Sequence, residues 1–297
     1  MFGSLCPLED WATLSDFLKS LGISKAHQKR QLPSAKLKRK LRAKEEINLT
    51  LNLLNPSLIS PEFCGDRPFI IKETTDFLVL HKPAGLHGHA LNYEEQDNVL
   101  SWMRSQGLGS LLNVGRETHE RGLLYRLDQA TSGVLIYVKD QKRWSDLRER
   151  FHKVAHLKRY VAVVNKMPSE VGHLNAWFDL QGKKVKASLE HRAGMIEGSL
   201  FLRVLRQDES GIVLAIDLAH GHRHQIRAHL ESLGCPILGD TLYGGNEADR
   251  LHLHAYLYQL GEELEACDSD LGFGTDFLDL DSDLKMLSNH SGIIHGR

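Results

Sequence analysis

Apolar positions along the chain change their rhythm once, near residue 60. Before it they recur at helical spacing: 13–22 reads TLSDFLKSLG, an amphipathic helix with a polar start and a glycine stop. Pro33 interrupts, and a basic helical stretch is predicted from about 34 to 46, ahead of a linker marked by Asn55-Pro56-Ser57 and Ser60-Pro61. From Phe69 the pattern shortens into β-prone runs at 69–72 and 77–81, with turn-like Glu73-Thr74-Thr75-Asp76 between them. Further strands are expected over 133–138, 160–164, 200–205, 212–218 and 251–260. Helices are expected from a cap at Asp97 through Trp102, over 141–152, and over 223–233, the last stopped by Gly234 ahead of Pro236. Strands and helices do not alternate regularly, so an α+β arrangement with a mixed or antiparallel sheet fits better than a doubly wound one. The chain divides in this reading into a small helical segment, 1–60, and a larger domain, 61–297.

Charge adds to this picture through its distribution. Net charge is −1 at pH 7, which argues against an overtly basic nucleic-acid binder. Yet Lys25, Lys29, Arg30, Lys36, Lys38, Arg39, Lys40, Arg42 and Lys44 follow one another with no acid among them. A second basic stretch holds Lys139, Lys142, Arg143, Arg148, Arg150, Lys153, Lys158 and Arg159, and the tail after Glu262 is acidic. Balanced totals of this kind can hide a basic face suited to a polyanion; the plainer alternative is solvated helix faces and a frayed tail. No apolar run approaches the roughly 20 residues that span a bilayer. The start lacks the pattern of a secretion signal, and Cys6, Cys64, Cys235 and Cys267 form no CxxC pair. A cytoplasmic monomer with reduced cysteines is expected.

Two strings carry candidate chemistry. In Tyr125-Arg126-Leu127-Asp128-Gln129-Ala130-Thr131-Ser132-Gly133 a carboxylate sits between an arginine and a small-residue turn that feeds an apolar strand. Such a turn bends tightly, and the strand anchors it, so Asp128 can be held at the floor of a cleft. An ordinary Asx turn is the competing reading. The second string runs from Gly221-His222-Arg223-His224-Gln225-Ile226-Arg227 through Pro236-Ile237-Leu238-Gly239-Asp240 to Tyr243-Gly244. On a helix Arg223 and Arg227 would share a face, able to present a guanidinium to a carboxylate. Alternating His220, His222, His224 and His252, His254 raise a metal-dependent hydrolase, but no Asp-His continuation follows, and no metal ligand is expected.

Together these strings resemble the RluA-type family of RNA pseudouridine synthases, whose hallmarks are Arg-Leu-Asp-x-x-Thr-Ser-Gly and a later Gly-Arg-x-His-Gln-Ile-Arg segment. Here the second has one extra residue between Gly221 and Arg223, and Tyr125 stands where many relatives have His. Lys82-Pro83-Ala84-Gly85 is similar to the family's Lys-Pro-x-Gly turn, and Lys158-Arg159-Tyr160 to its tyrosine-bearing strand, so the likeness covers 69–256. The resemblance implies a central mixed, largely antiparallel sheet in a catalytic domain at 61–297. It also implies isomerisation of uridines in structured ribosomal or transfer RNA without a cofactor. Asp128 would be the catalytic carboxylate, acting covalently at sugar or base or by taking a sugar proton. Arg227 would pair with it. Tyr160 would stack on the uracil and accept the C5 proton. Arg126 would fill the gap left by the extruded nucleotide, and Lys82 and Arg223 would join Lys38, Arg39 and Lys40 in contacting RNA. The TLSDFLKSLGISKAHQKR string is similar to the opening helices of an S4-type RNA-binding module, without that module's Val-x-x-Asn-Gly hairpin. A non-catalytic RNA-binding protein on the same fold is the alternative.

Overall fold

The computed structural model describes residues 2–272, apart from 22, 24, 51, 52, 54–58, 91–94, 117, 219 and 220. The Asn55-Pro56-Ser57 linker and the tail from 273 lie outside the described residues. The chain forms two compact units, one of Met1–Gly65 with His89–Arg121, the other of Asp66–Gly88 with Gly122–Arg297.

The first unit has a core of its own. Strand β1 (Phe2–Leu5) pairs antiparallel with β2 (Ile47–Thr50), and helices α1 (Leu14–Ser20), α2 (Lys25–Gln31) and α3 (Ser34–Leu37) lie between them in sequence. Thr13 caps α1, its hydroxyl accepting from the Asp16 N–H at 3.1 Å. Leu14, Phe17, Leu18, Leu37, Leu41, Ile47 and Leu49 pack into one buried cluster.

The helix expected over 34–46 is thus cut to one turn. Trp11 and Leu41 exchange backbone hydrogen bonds at 3.0 and 3.1 Å, and Lys44 turns through a left-handed conformation (φ 61°) into β2. Pairing with the far end of the segment satisfies these backbone groups where a helix would have done so. All nine basic residues from Lys25 to Lys44 are exposed. Helix α4 (Val99–Ser105), also in this unit, is capped by Asn98, whose side chain accepts from Ser101 N–H, and not by Asp97.

The second unit is built on a ten-stranded sheet. Its strands are β3 (Phe69–Glu73), β4 (Phe77–Lys82), β5 (Ser132–Val138), β6 (Ala155–Val164), β7 (Gly172–Asp179), β8 (Lys186–Ser188), β9 (Ile196–Asp208), β10 (Gly211–Leu218), β11 (Leu253–Leu260) and β12 (Leu264–Cys267). They lie in the order β3-β4-β5-β11-β6-β10-β9-β7-β8, with β12 beside β11. Among the described strands only β5 and β11 pair in parallel, so the sheet is mixed and largely antiparallel. Helices α5 (Gln141–Glu149), α6 (Phe151–Val154) and α7 (Gln225–Ser232) accompany it. The helix expected over 141–152 breaks at Arg150, and α7 starts at Gln225 because His224 adopts a left-handed conformation (φ 54°). Arg223 consequently lies before the helix and shares no helical face with Arg227. β7, in which buried Leu174, Ala176 and Phe178 alternate with more exposed positions, is a strand the reading of the sequence missed.

The β5–β11 junction demands a glycine. Gly133 has φ +117°, and a β-carbon there would lie 2.3 Å from the Ala255 carbonyl oxygen, its partner across the parallel pair. Gly133→Ala should therefore destabilise the protein by about 2–4 kcal/mol, from backbone strain and overpacking together. Urea denaturation checks this, and a midpoint equal to that of the wild type would contradict it.

Candidate active site

Asp128 sits on the loop that enters β5, with the Thr131 N–H donating to its carbonyl at 3.1 Å. A second turn clasps this loop. Gly85, in a left-handed conformation (φ +82°), donates its N–H to Gln129 O at 2.9 Å, and Gln129 Nε2 donates back to Gly85 O at 3.0 Å. Lys82 finishes the clasp: its ammonium donates to the carbonyls of Pro83, Leu86 and Gln129 at 2.9, 2.7 and 3.0 Å. Lys82 is fully buried and its three N–H donors are spent on these carbonyls, which leaves none to offer to RNA. Burial lowers its pKa to about 7, against the opposing charge of Asp128 and with that of Arg250.

The Asp128 carboxylate keeps a quarter of its surface open (25 %), and two cationic or neutral donors face its Oδ2: Arg227 Nη1 at 3.6 Å and His224 Nε2 at 3.7 Å. Arg227 has a closer partner. Its Nε and Nη2 donate at 2.7 Å to Oδ2 and Oδ1 of Asp240 respectively, and Asp240 is only 2 % exposed. The expected Arg227–Asp128 pair is thus the looser half of a three-member chain, Asp240–Arg227–Asp128. Burial opposes the charge on Arg227, but the hydrogen bond and charge of Asp240, with Asp128, hold its pKa above the ordinary value. The Arg227 guanidinium also lies 5.1 Å from the centre of the Tyr243 ring, and the Tyr243 hydroxyl is 3.1 Å from His224 Nδ1. Burial lowers the His224 pKa, only partly offset by Asp128, so a neutral imidazole stands beside the carboxylate.

Tyr160, on β6, is buried and shares a 2.5 Å hydrogen bond between its hydroxyl and that of Tyr258 on β11. Burial raises its pKa, the Tyr258 bond works the other way, and the charge of Asp128 raises it further. Tyr160 is a phenol at neutral pH. Tyr125 stacks flat on Tyr258 with centroids 4.1 Å apart and donates its hydroxyl to Val134 O at 2.9 Å. Tyr125, Tyr258 and Phe151 thus form a continuous aromatic stack.

The remaining expected RNA contacts are distributed differently. Arg126 is exposed beside Asp128. Arg223 is exposed too, but its guanidinium donates to the carbonyls of Leu180, Gly182 and Lys183, tying down the turn between β7 and β8. Lys38, Arg39 and Lys40 are exposed in the first unit, Arg39 pairing with Glu45 at 2.7 Å. Much of the second basic stretch is neutralised within the fold: Lys139 pairs with Glu73, Arg143 with Glu263, Arg150 with Asp146 and Glu263, and buried Arg159 with Asp217. Four of the eight basic side chains of that stretch are thereby paired within the fold. An open cleft of about 720 Å³ adjoins Gln129 and Ala130, but Asp66, Asp249 and Asp270 line it, which disfavours RNA there.

Reading the sequence missed Asp240, although it stands in the quoted string; an acid inside the apolar run Pro236-Ile237-Leu238-Gly239 was the available signal. It also missed Tyr258 and the neutral role of His224. Among the histidines flagged for metal, His254 has structural work instead. His254 Nδ1 meets the Ser132 hydroxyl at 2.8 Å and its Nε2 meets Asp268 O at 3.0 Å, while Arg250 donates to the same hydroxyl at 2.5 Å. Among the described residues no group of three His, Cys, Asp or Glu side chains is placed to hold a metal; His220 is outside them.

Burial drives His254 down to about 4, against the opposing charge of Asp268. Its folded value is below the unfolded value of about 6.5, so below that pH the unfolded chain binds a proton that the native state refuses. Stability contributed by neutral His254 is complete above about pH 6.5 and is lost as pH falls toward 4. His254→Asn should flatten the pH dependence of the urea midpoint in this window by about one proton. Parallel curves for the two proteins would show that His254 does not control it.

A family model described as RNA pseudouridylate synthase matches residues 76–232. Ribosomal large subunit pseudouridine synthase D of Borreliella burgdorferi is 29% identical over 197 residues, 64% of this chain and 60% of that protein. An RNA pseudouridine synthase of Helicobacter pylori, named as uncharacterized, is 30% identical over 205 residues, 68% of this chain and 75% of that one. The chain matches 60%, 61% and 64% of the length of three such relatives. Among solved structures, human RNA pseudouridylate synthase domain containing 1 has a TM-score of 0.55 at 18% identity, over 69% of this chain and 84% of that one, a likeness of fold.

Proposed function

Because the chain belongs to the RNA pseudouridylate synthase family, we propose that it isomerises uridines in structured RNA to pseudouridine, with Asp128 as the catalytic carboxylate. The observation that carries this reading is the partly open Asp128 carboxylate, faced by Arg227 and His224 and standing close enough to Tyr160 to raise its pKa. The reaction breaks the N1–C1′ bond, turns the base and joins C5 to C1′; the C5 proton leaves and N1 takes one up. Atoms balance without a cofactor. Attack on C1′, attack on the base and removal of a sugar proton all begin from an ionised carboxylate, and Arg227 supplies the positive charge beside it.

Tyr160 is read as a ring that packs on the uracil. A phenol held neutral by burial is a hydrogen-bond partner rather than a base, which argues against the proton-accepting role. Exposed Arg126 would occupy the stack vacated by the uridine. Ribosomal RNA in the cytoplasm is the favoured substrate, since relatives such as the Borreliella protein are named for the large ribosomal subunit.

Asp128→Asn should abolish tritium release from RNA labelled at uridine C5 while RNA binding persists. Tyr160→Phe should retain most turnover, whereas Tyr160→Leu should lose it. Substantial release by the Asn variant would remove Asp128 from the chemistry, and a severe loss in the Phe variant would restore the hydroxyl to it.

The first unit is read as an RNA-binding arm. The nine exposed basic side chains from Lys25 to Lys44 and the S4-like opening helices support that role. Each phosphate contact to single-stranded RNA contributes about 0.7 to the slope of log K against log salt. Replacing Lys38, Arg39 and Lys40 by Gln in the full chain should flatten this slope by up to about 2. Turnover at saturating RNA should persist. An unchanged slope would make these residues a solvated surface.

A further inference from the structure

The strand that carries Tyr160 also carries Lys158, and strand alternation puts both side chains on one face of the sheet. Lys158 keeps only 5 % of its surface exposed. Its Nζ lies 4.9 Å from the centre of the Phe151 ring, and a β-carbon built on Gly221 would stand 3.7 Å away. Phe151 stacks on Tyr125 at 5.9 Å, and Tyr125 stacks on Tyr258, the hydroxyl partner of Tyr160. Gly221 begins the segment that reaches His224, beside Asp128. Lys158 therefore belongs to the aromatic surround of the candidate active site.

Other buried cations of this unit each have an oxygen acceptor. Lys82 has three carbonyls, Arg159 has both oxygens of Asp217, and Arg227 has both of Asp240. Among the described residues Lys158 has the face of Phe151 and no carboxylate or carbonyl. Burial alone lowers its pKa, to about 8, with no neighbouring acid acting to raise it. Cation–π attraction returns only part of the hydration that a buried ammonium gives up, so this charge destabilises the protein unless an anion arrives. A simple apolar spacer on β6 would be served better by Met or Leu.

We propose that Lys158 is an anion subsite of the active site, which takes a backbone phosphate of the RNA next to the extruded uridine. The proposal rests on the synthase reading for the identity of that anion. A lysine suits the task as a compact point charge with three donors and no fixed fork. The subsite would help hold the flipped nucleotide, because the ammonium regains on binding what it lost on folding.

The test compares full-length wild type, Lys158→Met and Lys158→Arg on C5-tritiated total RNA from cells lacking the protein. Lys158→Met should lower kcat/KM about ten-fold, mainly through KM, and flatten its log–log salt dependence by about 0.7, while Lys158→Arg keeps the slope. Inorganic phosphate should raise the Tm of the wild type and the Arg variant above that in chloride at equal ionic strength, but not that of the Met variant. Lys158→Met should itself melt a few degrees higher than the wild type. Unchanged KM and salt slope, or an equal phosphate shift in the Met variant, would overturn the subsite. A Met variant that fails to fold would also overturn it, since an unpaired ammonium is dispensable for folding. Wild type that releases no tritium, yet shows the Lys158-dependent phosphate shift, would leave the subsite standing and remove the synthase reading.

Discussion

The parallel contact between β5 and β11 is the constraint on which the rest depends. Asp128 enters β5, Tyr160 lies on β6, and these strands are not neighbours: β11, from far along the chain, fills the place between them. Tyr258 comes in on β11, so the hydroxyl that Tyr160 meets arrives with the strand that spaces the sheet. The crossing is close enough at Gly133 and Ala255 to exclude a β-carbon. Ser132, next to it, is locked by His254 and Arg250. The Thr-Ser-Gly turn is therefore a joint between strands as much as a local bend, and it sets where the candidate carboxylate stands.

Around that joint the charges are graded. Asp240 and Arg227 form a buried bidentate pair, and breaking such a pair costs about 3–5 kcal/mol. With two guanidinium nitrogens committed, Nη1 is the group left to face Asp128, at a distance too long for a tight hydrogen bond. Asp128 thus has a positive neighbour without being tied up by it, and keeps an open side. Lys82 works behind the loop, exchanging solvation for three carbonyls and joining the Lys-Pro-Ala-Gly turn to the Asp128 turn. Both arrangements concentrate stabilising bonds in the support and leave the carboxylate accessible. Lys158 shows the opposite balance, a buried charge without an oxygen partner among the described residues, an instability that the proposed anion subsite would account for.

Much was legible in the sequence because it is written in local pattern. The β-prone runs at 77–81, 133–138 and 212–218 became strands, since apolar and β-branched residues suit a pleated, buried surface whatever their partners. Thr13 capped the first helix as its hydroxyl and the periodicity behind it required. The strings around Asp128 and Arg227 identified the family by residue type and spacing. Where local pattern misled, a distant group had intervened. The segment 34–46 has helical composition, but Leu41 is paired to Trp11 and buried among residues of β2 and α1. The basic run 139–159 looks cationic in one dimension, and acids from β3, β10 and the turn before β12 neutralise much of it in three.

What the sequence by itself determined was the set of elements, the family and the residue types able to do the chemistry, because propensity and motif spacing act over a few neighbouring residues. Only the tertiary structure decided which charges face solvent and which face each other. Lys82 passed from candidate RNA contact to buried clasp, Arg223 from helix face to loop anchor, and Asp240 from an unremarked acid to the closest partner of Arg227. The free energy of a charge depends on its surroundings in space, through burial and the nearest opposite charge, and those surroundings are supplied by strands far apart in the chain.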